Sequence, residues 1–376
     1  MMSWNRRTAK IIGWILLLPI AGCCAISSTG TEWHTEVVDA TGGGKFSSLQ
    51  IDKDGNAHVS YVDDSQNMLM YAFWDHHLHK WFTTPLDRSG GFCSLALDSK
   101  QHPHISYLDY SGPLKHAYWD GASWKKETLS IHAKNITYYT SIALDLMDNP
   151  IITYYEYWGA GDDYSLRLRN AAWNGKYWEL RTVDSTPGSG KFNATIMDSA
   201  GNPHIAYANV KYENSGLRYA RWNGRSWDIS VLEGITAPYA VYSVCIALDK
   251  HDLPHITYTD VANRYVKYAT RQGDKWQLEV VDSLVKEAFP DRNGIALDDQ
   301  GNPYISYYDV GAGILKVAHR KDQKWVAEVV DRNFAGFTSS LQIDRGTIWL
   351  TYADEAGGGL KCARRSLELS SIGQVK

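Results

Sequence analysis

Apolar and polar residues alternate with a period of two over short runs along most of the chain, and these runs recur in a fixed order. The first complete phrase, IDKDGNAHVSYVD, covers residues 51–63. It contains an aliphatic run, an aspartate, a polar turn and a second alternating run that reaches a tyrosine. Six later segments repeat it, with the aspartate at Asp52, Asp98, Asp145, Asp198, Asp249, Asp298 and Asp344 and the tyrosine at Tyr61, Tyr107, Tyr154, Tyr207, Tyr258, Tyr307 and Tyr352. This alternation indicates half-buried β-strands rather than helices.

A tryptophan followed by a short alternating run forms a second phrase, which usually ends in Val-Asp. It also occurs seven times, starting at Trp33, Trp81, Trp124, Trp178, Trp227, Trp276 and Trp325. Consecutive copies lie about 49 residues apart on average. This period is typical of four-stranded propeller blades and is longer than that of helical-pair repeats.

Each repeat is predicted to hold four short strands, which we name A to D in chain order. Strand A precedes the aspartate, strand B reaches the tyrosine, strand C is of the Leu-x-Tyr-Ala type, and strand D begins at the tryptophan. Asp120-Gly121 and Asn174-Gly175 separate strands C and D in two repeats, as expected for hairpin turns that need positive φ. The predicted fold class is all-β, a seven-bladed β-propeller of four-stranded antiparallel blades.

The two ends of the repeat array predict how the ring is completed. After Trp325 the chain holds one more set of strands A, B and C, whereas the strand that begins at Trp33 has no such set before it. We therefore expect the N-terminal strand to complete the last blade, which removes an open sheet edge. The propeller is predicted to span residues 32–366 as one domain, with residues 367–376 as a C-terminal tail.

The first 22 residues have the profile of a signal peptide, with Arg6, Arg7 and Lys10 ahead of the apolar run 11–20. The run ends in Ile-Ala-Gly-Cys, which resembles the bacterial lipobox and implies that Cys23 is the lipidated residue. Residues 23–31 would then form the lipidated N-terminus and a short linker. The alternative is an ordinary secreted protein cleaved near Ala25.

This resemblance also implies a location. We expect the chain to be anchored in the bacterial cell envelope, facing the periplasm or the exterior. Cys24, rather than an aspartate, follows the lipidated residue, which favours the outer membrane over the inner one.

The charge balance of the chain excludes one class of function. The chain has 38 basic and 42 acidic residues, and this balance argues against a nucleic-acid-binding protein.

Four histidines occupy one column of strand B on four different blades, so they cannot converge on one metal ion. We read them as core residues and expect neither a cofactor nor a metal site. The remaining cysteines, Cys93, Cys245 and Cys362, lie inside predicted strands, as small core residues do.

Loop lengths indicate the functional face. The A–B and C–D turns are nearly constant, whereas the interval from the strand D tryptophan to the next strand A aspartate varies from 17 to 22 residues. In an antiparallel meander the D–A and B–C loops share one face, and loops on a rigid scaffold are where sites usually lie. The candidate ligand-binding residues on this face are Lys45, Tyr139, Glu156, Tyr157, Trp158, Lys191, Tyr242, Asp260, Arg292 and Asp309.

The acidic candidates allow two interpretations. An acid follows the strand B tyrosine by two residues in most repeats, as Glu156, Asp260 and Asp309 do. Aromatic rings beside carboxylates and cations suit a carbohydrate ligand, because rings stack on sugar faces while charged groups bind hydroxyls. The same carboxylates could instead cap strand ends and neighbouring loops.

The repeats resemble those of secreted bacterial propellers, a group that includes sialidase-like and ulvan-lyase-type proteins. The likeness covers all seven units and lies in scaffold positions. The lyase resemblance implies a histidine in a loop after strand B, and the matching loop at residues 63–67 carries none.

Together these features predict a lipid-anchored, monomeric envelope propeller that binds a glycan or a protein partner without catalysis. The alternative is a carbohydrate-active enzyme, a glycoside hydrolase or polysaccharide lyase, that uses acidic and aromatic residues of the same face.

Overall fold

The computed structural model describes residues 32–367 with some gaps. Not described within this range are residues 89, 109–111, 130–135, 161–162, 212–214, 236, 238, 287–291, 334 and 355, and only the backbone is described for residues 136–138, 158–160, 163–165 and 335. The predicted signal peptide, Cys23 and the tail beyond residue 367 lie outside the described residues. No helix in the described part of the chain is long and apolar enough to cross a membrane.

The described chain forms strands β1 to β28, which we group into blades by sheet. Blades 1 and 2 are β2 (Lys45–Ile51), β3 (Ala57–Asp63), β4 (Met68–Asp75) and β5 (Lys80–Asp87), then β6 (Gly91–Leu97), β7 (Pro103–Leu108), β8 (Leu114–Trp119) and β9 (Trp124–Thr128). Blades 3 and 4 are β10 (Ile136–Leu144), β11 (Pro150–Ala160), β12 (Asp163–Trp173) and β13 (Trp178–Asp184), then β14 (Ser189–Met197), β15 (Pro203–Asn209), β16 (Gly216–Trp222) and β17 (Trp227–Gly234).

The remaining three blades follow the same plan. Blades 5 and 6 are β18 (Val241–Leu248), β19 (Pro254–Asp260), β20 (Tyr265–Gln272) and β21 (Lys275–Ser283), then β22 (Gly294–Leu297), β23 (Pro303–Asp309), β24 (Ile314–Lys321) and β25 (Lys324–Asp331). Blade 7 is β26 (Ala335–Asp344), β27 (Thr347–Asp354), β28 (Gly359–Ser366) and β1 (His34–Asp39).

The seven sheets each contain four antiparallel strands, which confirms the predicted all-β propeller. In the seventh sheet the order is β26, β27, β28 and β1, and His34 lies opposite Arg364. The first strand of every blade is innermost, and these inner strands lie side by side around a central channel.

The aspartate after strand A caps the A–B turn. In blade 1 an oxygen of Asp52 accepts hydrogen bonds from the backbone N–H groups of Asp54 and Asn56 at 2.9 and 2.8 Å. Burial raises the pKa of Asp52, but hydrogen bonds from His58 and Asn56 outweigh burial and lower this pKa to about 2. The aspartates are therefore turn residues of the scaffold.

The strand B tyrosines hold neighbouring blades together. All seven rings are fully buried, and Tyr107 donates a hydrogen bond from its hydroxyl to Asp87, at the end of the preceding blade, at 2.7 Å. Five other blades make the same bond to an aspartate or glutamate. Tyr154 makes no such bond among the described residues, and the sequence of blade 2 has Ser130 at the position of the acid, six residues after the strand D tryptophan.

The histidines and cysteines are core residues. His58, His204 and His255 each lie 2.6 Å from a tyrosine hydroxyl of the neighbouring strand C. Cys93 and Cys362 are buried, and burial raises the pKa of their thiols to about 11 and about 12. Within the described residues no group of three or more His, Cys, Asp or Glu side chains is placed to hold a metal ion.

Candidate ligand-binding face

The propeller has two unlike faces. We define the upper face as the one formed by the D–A and B–C loops, and the base face as the one formed by the A–B and C–D turns. The innermost strands start at the upper face, so the side chains at their first positions surround the mouth of the central channel.

An arc of five aromatic rings, each tilted against the next, lies along this mouth. Successive ring centroids lie 4.3, 4.5, 4.5 and 4.4 Å apart in the order Phe46, Phe92, Tyr139, Phe192 and Tyr242. Each ring comes from the start of a different innermost strand. Contacts of this kind contribute about 0.5–1.5 kcal/mol each beyond the area they bury.

A backbone irregularity places four of these rings. The first four members of the arc have positive φ values between 46° and 55°, a conformation that bulky residues rarely adopt. The strand A–strand B register shifts at the same positions, for example between Lys45 and Ser48. Such a bulge redirects a side chain, and here it directs the rings toward the channel mouth, whose wall they form.

Lys191 lies in a cage of aromatic side chains at this arc. Its Nζ atom is 4.9 to 5.6 Å from four ring centroids, those of Tyr139, Phe192, Tyr239 and Tyr242. A cation over ring faces at these distances is attracted by the ring quadrupoles, by about 0.5–1 kcal/mol per contact at exposed sites. The cage therefore holds the ammonium group in one position among the rings.

The cage opens into a pocket of about 340 Å³ on the upper face. Four tyrosines, one phenylalanine, one leucine and the caged lysine line it: Tyr139, Tyr155, Tyr157, Tyr239, Phe92, Leu166 and Lys191. The residues come from blades 2, 3 and 4 and from the loop between blades 4 and 5. We refer to this cavity as the aromatic pocket.

Arg292 lies beside the aromatic arc at the channel mouth. It precedes β22, and one of its terminal nitrogens donates a hydrogen bond to the backbone carbonyl oxygen of Cys93 at 3.2 Å. Below it the central channel encloses about 410 Å³, with Ser48, Ser94 and Ser141 among its lining residues. The guanidinium group thus lies between the ring-lined mouth and a polar channel.

The three acidic candidates are bound within the scaffold. The side chain of Glu156 is almost fully buried and pairs with Arg167 Nε at 2.7 Å. Asp309 is buried and pairs with Lys316 Nζ at 3.1 Å. Asp260, which is fully buried, accepts hydrogen bonds from the backbone and the side chain of Asn263. These positions agree with the capping interpretation, because none of the three carboxylates lines the aromatic pocket.

The other candidates divide between the pocket and its surroundings. Tyr139, Tyr157 and Lys191 line the pocket, and Tyr242 belongs to the arc beside it. Lys45 pairs with Asp64 at 2.7 Å. The side chain of Trp158 lies outside the described residues.

Sequence analysis missed four aromatic residues of this region, namely Phe46, Phe92, Phe192 and Tyr239. The three phenylalanines share a signal, since each lies two residues before the small residue that opens the regular part of strand A, at Ser48, Ser94 and Ala194. Tyr239 lies in the loop before β18. The interval from the strand D tryptophan to the strand A aspartate is equally long in the next repeat, where Ala288 holds the corresponding position, so the repeat pattern does not single Tyr239 out.

Comparison with known proteins supports the fold and no narrower assignment. No protein-family model and no curated protein matches the chain. Among solved structures, an ulvan lyase of a polysaccharide lyase family, bound to a glucuronic acid–sulfated rhamnose disaccharide unit, matches with a TM-score of 0.57 at 14% identity, over 88% of this chain and 95% of that one. At this identity the likeness shows the propeller scaffold alone.

Two further structures show the same likeness. The Aleuria aurantia lectin, solved with a fucosylated N-acetylglucosamine, has a TM-score of 0.54 at 13% identity and covers 76% of this chain and 96% of its own. A Hadza microbial sialidase has a TM-score of 0.52 at 10% identity, over 83% of this chain and 73% of its own. The structural neighbours therefore include lectin, lyase and sialidase propellers.

Proposed function

We propose that this protein binds a glycan in the aromatic pocket of its upper face. The observation that carries the proposal is the cage itself, in which four rings surround the ammonium group of Lys191 at the edge of an open cavity of about 340 Å³. Cavities of this size are typical of small-ligand sites.

The lining chemistry suits a sugar. Tyrosine faces offer flat apolar surface for the C–H groups of a pyranose, and phenolic hydroxyls donate and accept hydrogen bonds with sugar hydroxyls. The Lys191 ammonium adds N–H donors for ring or hydroxyl oxygens. The structural neighbours crystallised with saccharides support the same class of ligand.

Binding without catalysis is the form of the proposal that the described residues support best. Glycosidases use a pair of carboxylates that flank the scissile bond. The described residues that line the aromatic pocket include no carboxylate, and Glu156 beside it is engaged by Arg167. Glycoside hydrolase or lyase activity is the outcome that the following experiment would reveal instead.

The test is a panel of neutral and acidic polysaccharides assayed for both binding and product release. We expect the purified protein to retain at least one polysaccharide and to release no product. Tyr239→Ala and Tyr157→Ala should each weaken that binding by about five- to tenfold, because each removes a ring contact with the sugar worth about 1–1.5 kcal/mol.

Tyr177→Ala is the matched control, because this exposed tyrosine lies on the base face, away from the pocket. Binding that survives both pocket substitutions would place the ligand elsewhere and refute the site. Release of oligosaccharide or unsaturated product would replace the binding proposal with the enzymatic one.

We also propose that the chain is lipid-anchored in the cell envelope through Cys23. The described chain starts at Glu32, and β1 then runs from the base face to the upper face as the fourth strand of blade 7. An anchor eleven residues before His34 would therefore lie on the base-face side, and the aromatic pocket would point away from the membrane. Cys23→Ala should abolish labelling by a fatty-acid probe, and unchanged labelling would refute the anchor.

A further inference from the structure

The turns of the base face carry apolar residues that the fold does not require. In the A–B turn of blade 3, Leu146 and Met147 are 73% and 81% exposed. The residues that occupy these two positions in the other five-residue turns are polar or small: Lys53-Asp54, Ser99-Lys100, Ser199-Ala200, Lys250-His251 and Asp299-Gln300. Since those turns form with such residues, packing does not account for Leu146 and Met147.

Two other turns depart from the repeat in the same way. Tyr177, in the C–D turn of blade 3, is 57% exposed and replaces the serine found at Ser123 and Ser226. Leu253, in the A–B turn of blade 5, is exposed where the other turns hold asparagine or histidine. The exposed Leu78, in the C–D turn of blade 1, makes this the fourth apolar turn of the base face.

The distribution of these residues around the ring indicates a flat partner. The apolar turns belong to blades 1, 3 and 5, and the chain enters the described structure on the same face at blade 7. The apolar turns of blades 1, 3 and 5 and the entry of the chain at blade 7 are spread around the ring, so together they define a plane across the propeller axis. A surface of that shape and width fits a bilayer better than a peptide or a groove-binding ligand.

We propose that the base face rests on a phospholipid bilayer, with the apolar turns of blades 1, 3 and 5 inserted among the headgroups. The inference rests on the proposed anchor at Cys23 and adds an orientation to it. The ten residues between Cys23 and His34 span at most about 36–40 Å when extended, so the tether allows this contact. Exposed apolar side chains on a rigid base bind an interface through the area they bury there.

Charge contributes little to this contact. Lys176 and Lys250 neighbour the apolar tips and are exposed, but exposed acids lie on the same face, such as Asp54 and Asp299 in the A–B turns of blades 1 and 6. Contact should therefore depend on the apolar side chains, with weak dependence on salt and on the fraction of anionic lipid. The aromatic pocket would face away from the membrane, where it can reach a glycan.

The experiment places a nitroxide spin label on each of two surfaces of the acylated full-length protein, reconstituted into phosphatidylethanolamine–phosphatidylglycerol vesicles. Met147→Cys labels the base face, and Val231→Cys, at an exposed position of the outermost strand β17, is the matched control. A Cys24→Ser background removes the neighbouring thiol. Of the other cysteines, Cys93 and Cys362 are buried and Cys245 is partly buried, and the pKa values of all three thiols are raised, so they react slowly with the label.

The expected result is that molecular oxygen relaxes the label at residue 147 more strongly than a water-soluble nickel chelate does, with the reverse at residue 231. A label at residue 147 that is as accessible to the chelate as the control overturns the docking and leaves the anchor standing. A protein that does not associate with the vesicles at all overturns both. If the Met147→Cys protein does not fold, Tyr177→Cys serves instead, because serine occupies that position in blades 2 and 4.

Discussion

The guanidinium group of Arg292 donates a hydrogen bond to the backbone carbonyl oxygen of Cys93 at 3.2 Å, although 199 residues separate them in the chain. Arg292 precedes the innermost strand of blade 6, and Cys93 lies on that of blade 2. The bond therefore links two blades across the channel rather than two neighbours in the ring. It also fixes a positive charge beneath the aromatic arc.

Replacing Arg292 should lower the stability of the propeller without unfolding it. Arg292→Gln removes a hydrogen bond from a charged donor, which is worth about 1.5–3 kcal/mol when buried. Because Arg292 is half-buried, we expect the free energy of unfolding to fall by about 1–2 kcal/mol. Urea denaturation followed by tryptophan fluorescence measures this change. Arg332→Gln, at an exposed loop position, is the control, and an equal loss in both proteins would contradict a role for the cross-channel bond.

The tyrosine bonds between blades give a second prediction about stability. Tyr307 donates to Asp282 at 2.5 Å, and Lys316 Nζ approaches the same carboxylate at 3.0 Å. Tyr307→Phe leaves that carboxylate with one partner fewer, so the free energy of unfolding should fall by about 1–2 kcal/mol. Tyr154→Phe should cost less, because the sequence has Ser130 in place of that acid and the described residues of the preceding blade offer the Tyr154 hydroxyl no carboxylate. Equal costs in urea denaturation would show that ring packing, not the hydrogen bond, makes the tyrosines necessary.

The scaffold was predictable because its rules are local and repeat seven times. The aspartate turns, the buried tyrosines and the Trp-initiated strands each follow from residue type and spacing, so every copy reinforces the same interpretation. The anchor lies outside the described residues and stays a prediction.

The site was predictable only in part, because a backbone bulge places three of its rings. Phe46, Phe92 and Phe192 read as core residues in a strand pattern, and only the positive φ at each one directs its ring to the channel mouth. That bulge is a property of the folded backbone. Lys191 and Tyr139 were found because they stand at the same strand starts with polar or amphipathic side chains.

The acids that lie two residues after the strand B tyrosines carry a sequence signal for ion pairs that was not used in the predictions. Asp260 and Asp309 are each followed seven residues later by a lysine, Lys267 and Lys316, and these pairs lie 3.6 and 3.1 Å apart. A seven-residue interval across a B–C hairpin places the two side chains on neighbouring strands near one loop. The spacing would have favoured ion pairs over ligand contacts.

These ion pairs lead to a prediction that separates stability from binding. Asp309→Asn leaves the ammonium group of Lys316 with one carboxylate fewer in a buried setting, so the free energy of unfolding should fall by about 1–3 kcal/mol. Glycan binding should stay within about twofold, because Asp309 does not line the aromatic pocket. Asp64→Asn, which breaks an exposed pair with Lys45, is the control and should cost at most about 1 kcal/mol. If Asp309→Asn lost glycan binding while its free energy of unfolding stayed unchanged, Asp309 would be a ligand-binding residue instead.

A pair of histidines in blade 2, one buried and one partly buried, should make the fold sensitive to mild acid. His104 Nδ1 lies 3.1 Å from His116 Nε2, and the other nitrogen of His116 pairs with Glu127 at 2.9 Å. Burial, reinforced by the neighbouring His116, lowers the pKa of His104 to about 4. Burial also lowers the pKa of His116, against the opposing effect of Glu127.

The sign of the pH dependence follows from these directions. A histidine whose pKa is lower in the folded than in the unfolded chain contributes its stability above the unfolded value, near 6.5, and loses it as the pH falls toward 4. Each unit between the two pKa values is worth about 1.4 kcal/mol, so the pair should cost about 1–3 kcal/mol over this window. Aspartates with lowered pKa values, such as Asp52, contribute their losses below about pH 4.

Blade 6 supplies the substitution that tests this prediction. There Tyr304 takes the place of His104 and stacks on His319, which stands at the position of Tyr118 and pairs with Glu328, the counterpart of Glu127. His104→Tyr should therefore be accommodated and should flatten the fall in unfolding free energy between pH 6.5 and 4.5, measured by urea denaturation at half-unit steps. His76→Tyr, in an exposed turn, should leave the slope of the parent protein unchanged. If the His104→Tyr and parent profiles superimpose, the acid sensitivity does not come from this pair, and the other buried histidines, His204 and His255, whose pKa values burial also lowers, become the groups to substitute next.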